Sequence, residues 1–81
     1  MTPDQFRHLT SLQQMELLFD QGRELMCRIF VFYNIRLYTI GDFFVEVWYR
    51  QTTNKIDRII IMGIDSVLEL YENQIKLSDL F

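Results

Sequence analysis

The chain has 81 residues, 49% hydrophobic and 15% aromatic, with three glycines, one proline and a net charge of −3. That composition excludes a disordered segment, the length points to a single domain with a modest core, and the acidic balance disfavours a dedicated nucleic-acid binder. The charge is uneven: residues 25–63 carry five basic against three acidic side chains, and the rest of the chain three against eight.

The opening MTPDQFRHL has neither the basic nor the apolar region of a signal peptide, and nothing approaches the ~18 apolar residues of a membrane span. A soluble cytoplasmic protein without membrane contact is expected. Cys27 is the only cysteine, so no disulfide can form within the chain.

Thr2, Pro3 and Gln5 spell a helix start, and Ser11 with Gln14 offers a second. From there Leu12, Met15, Leu18 and Phe19 fall on one helical stripe that ends at Gly22, which predicts a helix over about 11–21. From Arg23 the period changes to two. Residues 25–33 and 35–40 read as two strands separated by a turn at Asn34, or as one long bent ribbon, and Gly41-Asp42 is the next turn. FFVEVWYRQ (43–51) is a third strand, TTNK a polar connection and IDRIIIM (56–62) a fourth. Short turns require an antiparallel meander, because parallel strands need crossovers of about a dozen residues. After Gly63, Ser66 and Glu69 suggest a capping box, with Ile64, Val67, Leu68, Tyr71 and Ile75 on one helical face. The expected fold is therefore α+β, in the order α-β-β-β-β-α, spanning residues 1–81 as one domain with both helices on one face of the sheet.

Parity along the strands defines two faces. Odd positions, from Leu25, Cys27 and Ile29 through Val45 and Val47 to Ile59 and Ile61, form a nearly uncharged core face. Even positions place Arg28, Phe30, Phe32, Arg36 and Tyr38 with Phe44, Glu46, Trp48, Arg50 and Arg58. Two helices on one face would leave this arginine-aromatic face bare, beyond the few hundred Å² a soluble monomer tolerates. The expected interface is thus Phe30, Phe32, Arg36, Tyr38, Phe44, Glu46, Trp48, Arg50 and Arg58.

A second copy is the leading occupant, since aromatic and arginine side chains are enriched at interfaces and two-fold dimers are the commonest oligomers. There Glu46 would pair with Arg50 or Arg58. Three alternatives use the same residues or the tail. A hetero-partner could take that face or the LSDLF end, single-stranded nucleic acid could stack on the rings, and a small substrate could occupy a cleft around Glu46. No glycine-rich phosphate loop, nucleophile elbow or metal-spaced His/Cys cluster accompanies them, so neither cofactor nor metal is expected. His8 reads as a solvated helix residue and Cys27 as a small core residue.

LYTIGDFFVEVWYRQTTNKIDRI (37–59) and YENQIKLSDLF (71–81) resemble a group of short uncharacterised bacterial proteins of the Bacteroidetes type. These share a Phe-Val-Glu-Val-Trp/Tyr-Tyr strand and an ending like Gln-Ile-Lys/Asp-Leu-Ser. The resemblance implies a cytoplasmic bacterial protein and supplies no functional residues. The function expected from the residues themselves is a non-catalytic, self-associating interaction module.

Overall fold

A computed structural model describes residues 1–72. The elements are α1 (Pro3–Arg7), α2 (Ser11–Gln21), β1 (Arg23–Phe30), β2 (Tyr33–Ile40), β3 (Phe43–Arg50), β4 (Ile56–Met62) and α3 (Ile64–Leu70). The strands form one antiparallel meander in the order β1-β2-β3-β4. The α+β class, the element order and the sheet topology are those expected from the sequence.

Local signals account for most element ends. Thr2 caps α1 in a capping box with Gln5, behind Pro3 in the first turn. The same device opens α2 one residue earlier than expected, at Thr10 with Gln13. Gly22 closes α2. Its missing side chain matters, because a Cβ there would sit 2.7 Å from the Leu18 carbonyl oxygen. The capping box expected at Ser66 does not form: Gly63 is the N-cap of α3 and no side chain caps it. Ser66 sits inside the helix because the chain turns helical immediately after β4. The expected position of Ile75 on this helix, and the apolar end Leu80-Phe81, lie outside the described residues.

The first turn of the sheet falls at Val31-Phe32 and not at Asn34, which belongs to β2. Phe30 pairs with Tyr33 across this two-residue turn, as Ile40 pairs with Phe43 across Gly41-Asp42. The first turn residue has a left-handed backbone in both, φ +54° at Val31 and +56° at Gly41. Glycine adopts that region freely, whereas a β-branched side chain is strained in it.

The turns also decide the faces. A two-residue hairpin pairs odd positions with even ones, so Leu37 lies opposite Glu46 and Tyr38 opposite Val45. Parity therefore reverses from β1 to β2 and again from β2 to β3. One face carries Tyr38, Ile40, Phe43, Val45, Val47 and Ile59, and packs on Phe6 of α1 and on Met15 and Leu18 of α2. The opposite face carries Leu37, Phe44, Ile60 and Met62, and packs on Val67 and Tyr71.

The helices thus lie on opposite faces, which corrects the expectation that both cover one. Each burial is substantial: Phe6, Val45, Val47, Ile35, Leu37 and Val67 are fully excluded from solvent, and each such side chain contributes about 1.5–3 kcal/mol from desolvation. Other expected core residues are exposed. Cys27 and Ile29 lie on edge strand β1, beyond the reach of α1 and α2. Leu12 and Phe19, expected on the buried stripe of α2, are exposed at its border with the sheet.

Candidate functional site

The most heavily built polar cluster lies beneath α3, around Glu46. The register sets Met26, Leu37, Glu46 and Ile60 in one cross-strand row, so the carboxylate enters the sheet between apolar neighbours. It is 1% exposed. A bare charge there would be prohibitive, and the adjacent row removes the difficulty. That row is Arg28, Ile35, Trp48 and Arg58.

Arg28 reaches diagonally from β1 and grips the carboxylate with both ends of its fork, Nε to Oε2 at 3.0 Å and Nη2 to Oε1 at 3.3 Å. The Trp48 indole Nε1 donates to Oε1 at 3.1 Å, and the Tyr71 hydroxyl donates to Oε2 at 2.7 Å. Each oxygen therefore accepts two hydrogen bonds, and no buried side-chain nitrogen or oxygen among the described residues lacks a partner.

The cation is housed as carefully as the anion. The guanidinium carbon of Arg28 lies 6.0 Å from the ring centre of Phe30, 5.5 Å from Trp48 and 5.7 Å from Tyr71. Arg58 approaches the same indole from β4 at 5.1 Å. Phe30 and Tyr33 meet Trp48 edge to face. Such contacts strengthen as water is excluded. Burial alone would lower the Arg28 pKa, but the hydrogen bonds and charge of Glu46 outweigh it and raise it. Burial, then the Glu46 hydrogen bond and charge, push the Tyr71 hydroxyl far above its ordinary range. Tyr71 therefore remains a donor.

This cluster gathers Phe30, Phe44, Glu46, Trp48 and Arg58 on the face under α3, with Arg50 at its margin. Arg50 is exposed and binds Asp57, which also accepts from the Tyr33 hydroxyl. Those bonds hold the Asp57 carboxyl below its ordinary range and raise Arg50. Arg36 and Tyr38 do not join it. The parity reversal sends them to the α1/α2 face, where Arg36 stacks on Tyr49 at 5.5 Å and pairs with Glu24 at 3.4 Å. Burial and the neighbouring Tyr49 push the Tyr38 hydroxyl up to about 12. Phe32 sits in the exposed β1–β2 turn. The expected interface residues are consequently divided between two faces and a turn, and Glu46 pairs with Arg28 in place of Arg50 or Arg58.

Sequence reasoning missed two members. Arg28 was legible only as another basic residue of its face, and Tyr71 only as an apolar helix position. The signal for Tyr71 was its hydroxyl, which needs a partner at the buried end of a helix stripe.

The chemistry of this arrangement is restrictive. With two donors on each carboxylate oxygen, Glu46 has no free lone-pair direction for a substrate proton, and its geometry is that of a brace for α3. The Trp48 indole, 9% exposed and touched by two guanidinium groups and two rings, offers no open platform for a base. Among the described residues no group of three His, Cys, Asp or Glu side chains is placed to hold a metal ion, and no helix is long and apolar enough to cross a membrane. His8 is exposed at the end of α1, with Nδ1 2.7 Å from the Asp4 carbonyl oxygen.

Compared with known proteins, the chain matches no family model, and no curated protein or solved structure matches it significantly.

Proposed function

We propose that this protein is a non-catalytic module that acts by associating with further copies of itself. The observation that carries this proposal is the amount of bare apolar side chain that a small molecule leaves in water. Leu12, Phe19, Ile29, Val31 and Phe32 are 69, 77, 72, 64 and 67% exposed. All five face water, four of them (Leu12, Phe19, Ile29 and Val31) at positions where the sequence pattern called for burial, and exposed apolar surface of this extent is the usual mark of a contact surface. A domain this short also gains more from association than a large one, because its own core supplies a small margin. The saturated Glu46 supports the same proposal from the other side, since the most elaborate polar cluster serves packing.

Sedimentation equilibrium from micromolar to millimolar protein tests it. A concentration-dependent mass rising to an integral multiple of the 9.9 kDa chain is expected. A monomer over the whole range would overturn the proposal.

A further inference from the structure

We infer that the second copy seats on the α2 side of the sheet, at the end nearest the β1–β2 turn, patch against patch about a two-fold axis. This rests on the self-association proposed above, and it moves the contact away from the arginine-aromatic residues singled out in the sequence.

The patch is assembled from two elements. On the α1/α2 face the register aligns Ile29, Asn34, Tyr49 and Ile56 in the row next to the β1–β2 turn. Along α2, Leu12, Met15 and Phe19 recur at helical spacing and border this row, enclosing a groove of about 410 Å³ with Ser11, Tyr49 and Ile56. Met15 is committed to the core, while Leu12 and Phe19 stand as ridges beside the groove. A groove flanked by its own ridges is what an isologous contact requires: the ridge of one copy enters the groove of the other, and the reverse.

Area and charge both favour a second copy. Leu12, Phe19, Ile29 and Ile56 leave on the order of 500 Å² of apolar surface in water, taking aromatic side chains at ~200 Å² each. A stable dimer takes about 800 Å² from each partner, roughly 60% of it apolar, so the patch matches the apolar share of one half-interface. None of the groove residues is charged. Among the strand residues of this face, Arg36 and Glu24 pair with each other, and the acids of α2, Glu16 and Asp20, border a different groove with Leu9, Gln13 and Leu17. The surface therefore asks for an uncharged, apolar counterpart, and its own copy supplies one. On the opposite face Val67 and Tyr71 already pack over the middle of the sheet.

Leu12→Asp and Phe19→Asp test the assignment, since both side chains are exposed within one chain and their replacement leaves the core intact. Each is expected to weaken dimerisation at least a hundredfold by sedimentation equilibrium, with the circular dichroism spectrum and melting temperature of the dissociated chain unchanged. Leu70→Asp, on the exposed side of α3, is expected to leave the dissociation constant within twofold. A measurement without substitution keeps the test independent: on dilution of ¹⁵N-labelled protein, amide shifts should move in α2 and around Ile29, Tyr49 and Ile56. A wild-type dimer indifferent to Leu12→Asp and Phe19→Asp, or with dilution shifts confined to α3 and Arg58, would refute this surface and leave self-association standing. A strictly monomeric chain overturns both, whether the patch then meets lipid vesicles, another protein or the chain's own C-terminal segment.

Discussion

The two faces of the sheet solve the same problem by opposite means. The α1/α2 face is closed by hydrocarbon, with Phe6 edge to face on Phe43 and Met15 and Leu18 over Val45 and Val47. The α3 face is closed around a charge, and α3 is tied down by the Tyr71 hydroxyl on Glu46 as well as by Val67. Apolar packing tolerates small shifts of a helix, whereas a carboxylate with four donors holds only one arrangement. The comparison teaches that the charged face positions its short helix, and that the apolar face, covered by a longer helix, is left open at one end.

The largest way to break that contrast is to remove the anion. Glu46→Ala leaves the Arg28 guanidinium among three rings without its partner and is expected to destabilise folding by about 4 kcal/mol, read from denaturant unfolding. Adding Arg28→Met should recover part of that loss, because an uncompensated charge, and not the missing contact, accounts for most of it. Equal losses in the single and double variants would show that the ion pair itself, with no such penalty, sets the stability.

Removing only the tether to α3 is milder. Tyr71→Phe is expected to lose about 2 kcal/mol, the contribution of a hydrogen bond to a charged acceptor, and to expose α3 amides to hydrogen exchange before those of β2 and β3. The same tether sets an alkaline limit. Tyr38 and Tyr71 have folded pKa values raised above the ordinary 10, so their contribution is complete below pH 10 and is lost as pH rises through the folded values. The melting temperature should fall from about pH 10 upward, and Tyr71→Phe should flatten that fall.

The paired hairpins offer a smaller test with the opposite sign. Val31 occupies the turn position that Gly41 occupies in the next hairpin, at nearly the same φ. Val31→Gly should relieve left-handed strain, and after the entropy of the added glycine it is expected to stabilise the chain by about 1 kcal/mol. Destabilisation would mean that the exposed valine side chain contributes packing that outweighs the strain.

The smallest effect is expected from the exposed ion pair. Asp57, lowered by Arg50 and Tyr33, stabilises the fold above its unfolded pKa, and this is lost as pH falls through the folded value. Asp57→Asn should therefore lower stability slightly at pH 7 and progressively less as pH falls below the unfolded carboxylate range. An effect rivalling that of Glu46→Ala would erase the distinction between a solvated pair and a buried one.

The sequence by itself determined the elements and their order. Pro3 and the Thr caps start helices, Gly22 ends one, and alternation with short turns forces antiparallel strands, because these are local steric and hydrogen-bonding constraints. It also showed that Glu46, among aromatic neighbours, needed a partner. Which partner was a tertiary matter. The exact turn residues set the register, a two-residue turn at Val31-Phe32 or Gly41-Asp42 reverses parity, and each reversal moved Arg36 and Tyr38 away from Glu46 while leaving Arg28 beside it. The side taken by α3, the exposure of Leu12 and Phe19 and the open end of the α2 face follow from that register, since burial depends on which residues meet across strands and not on their own hydropathy.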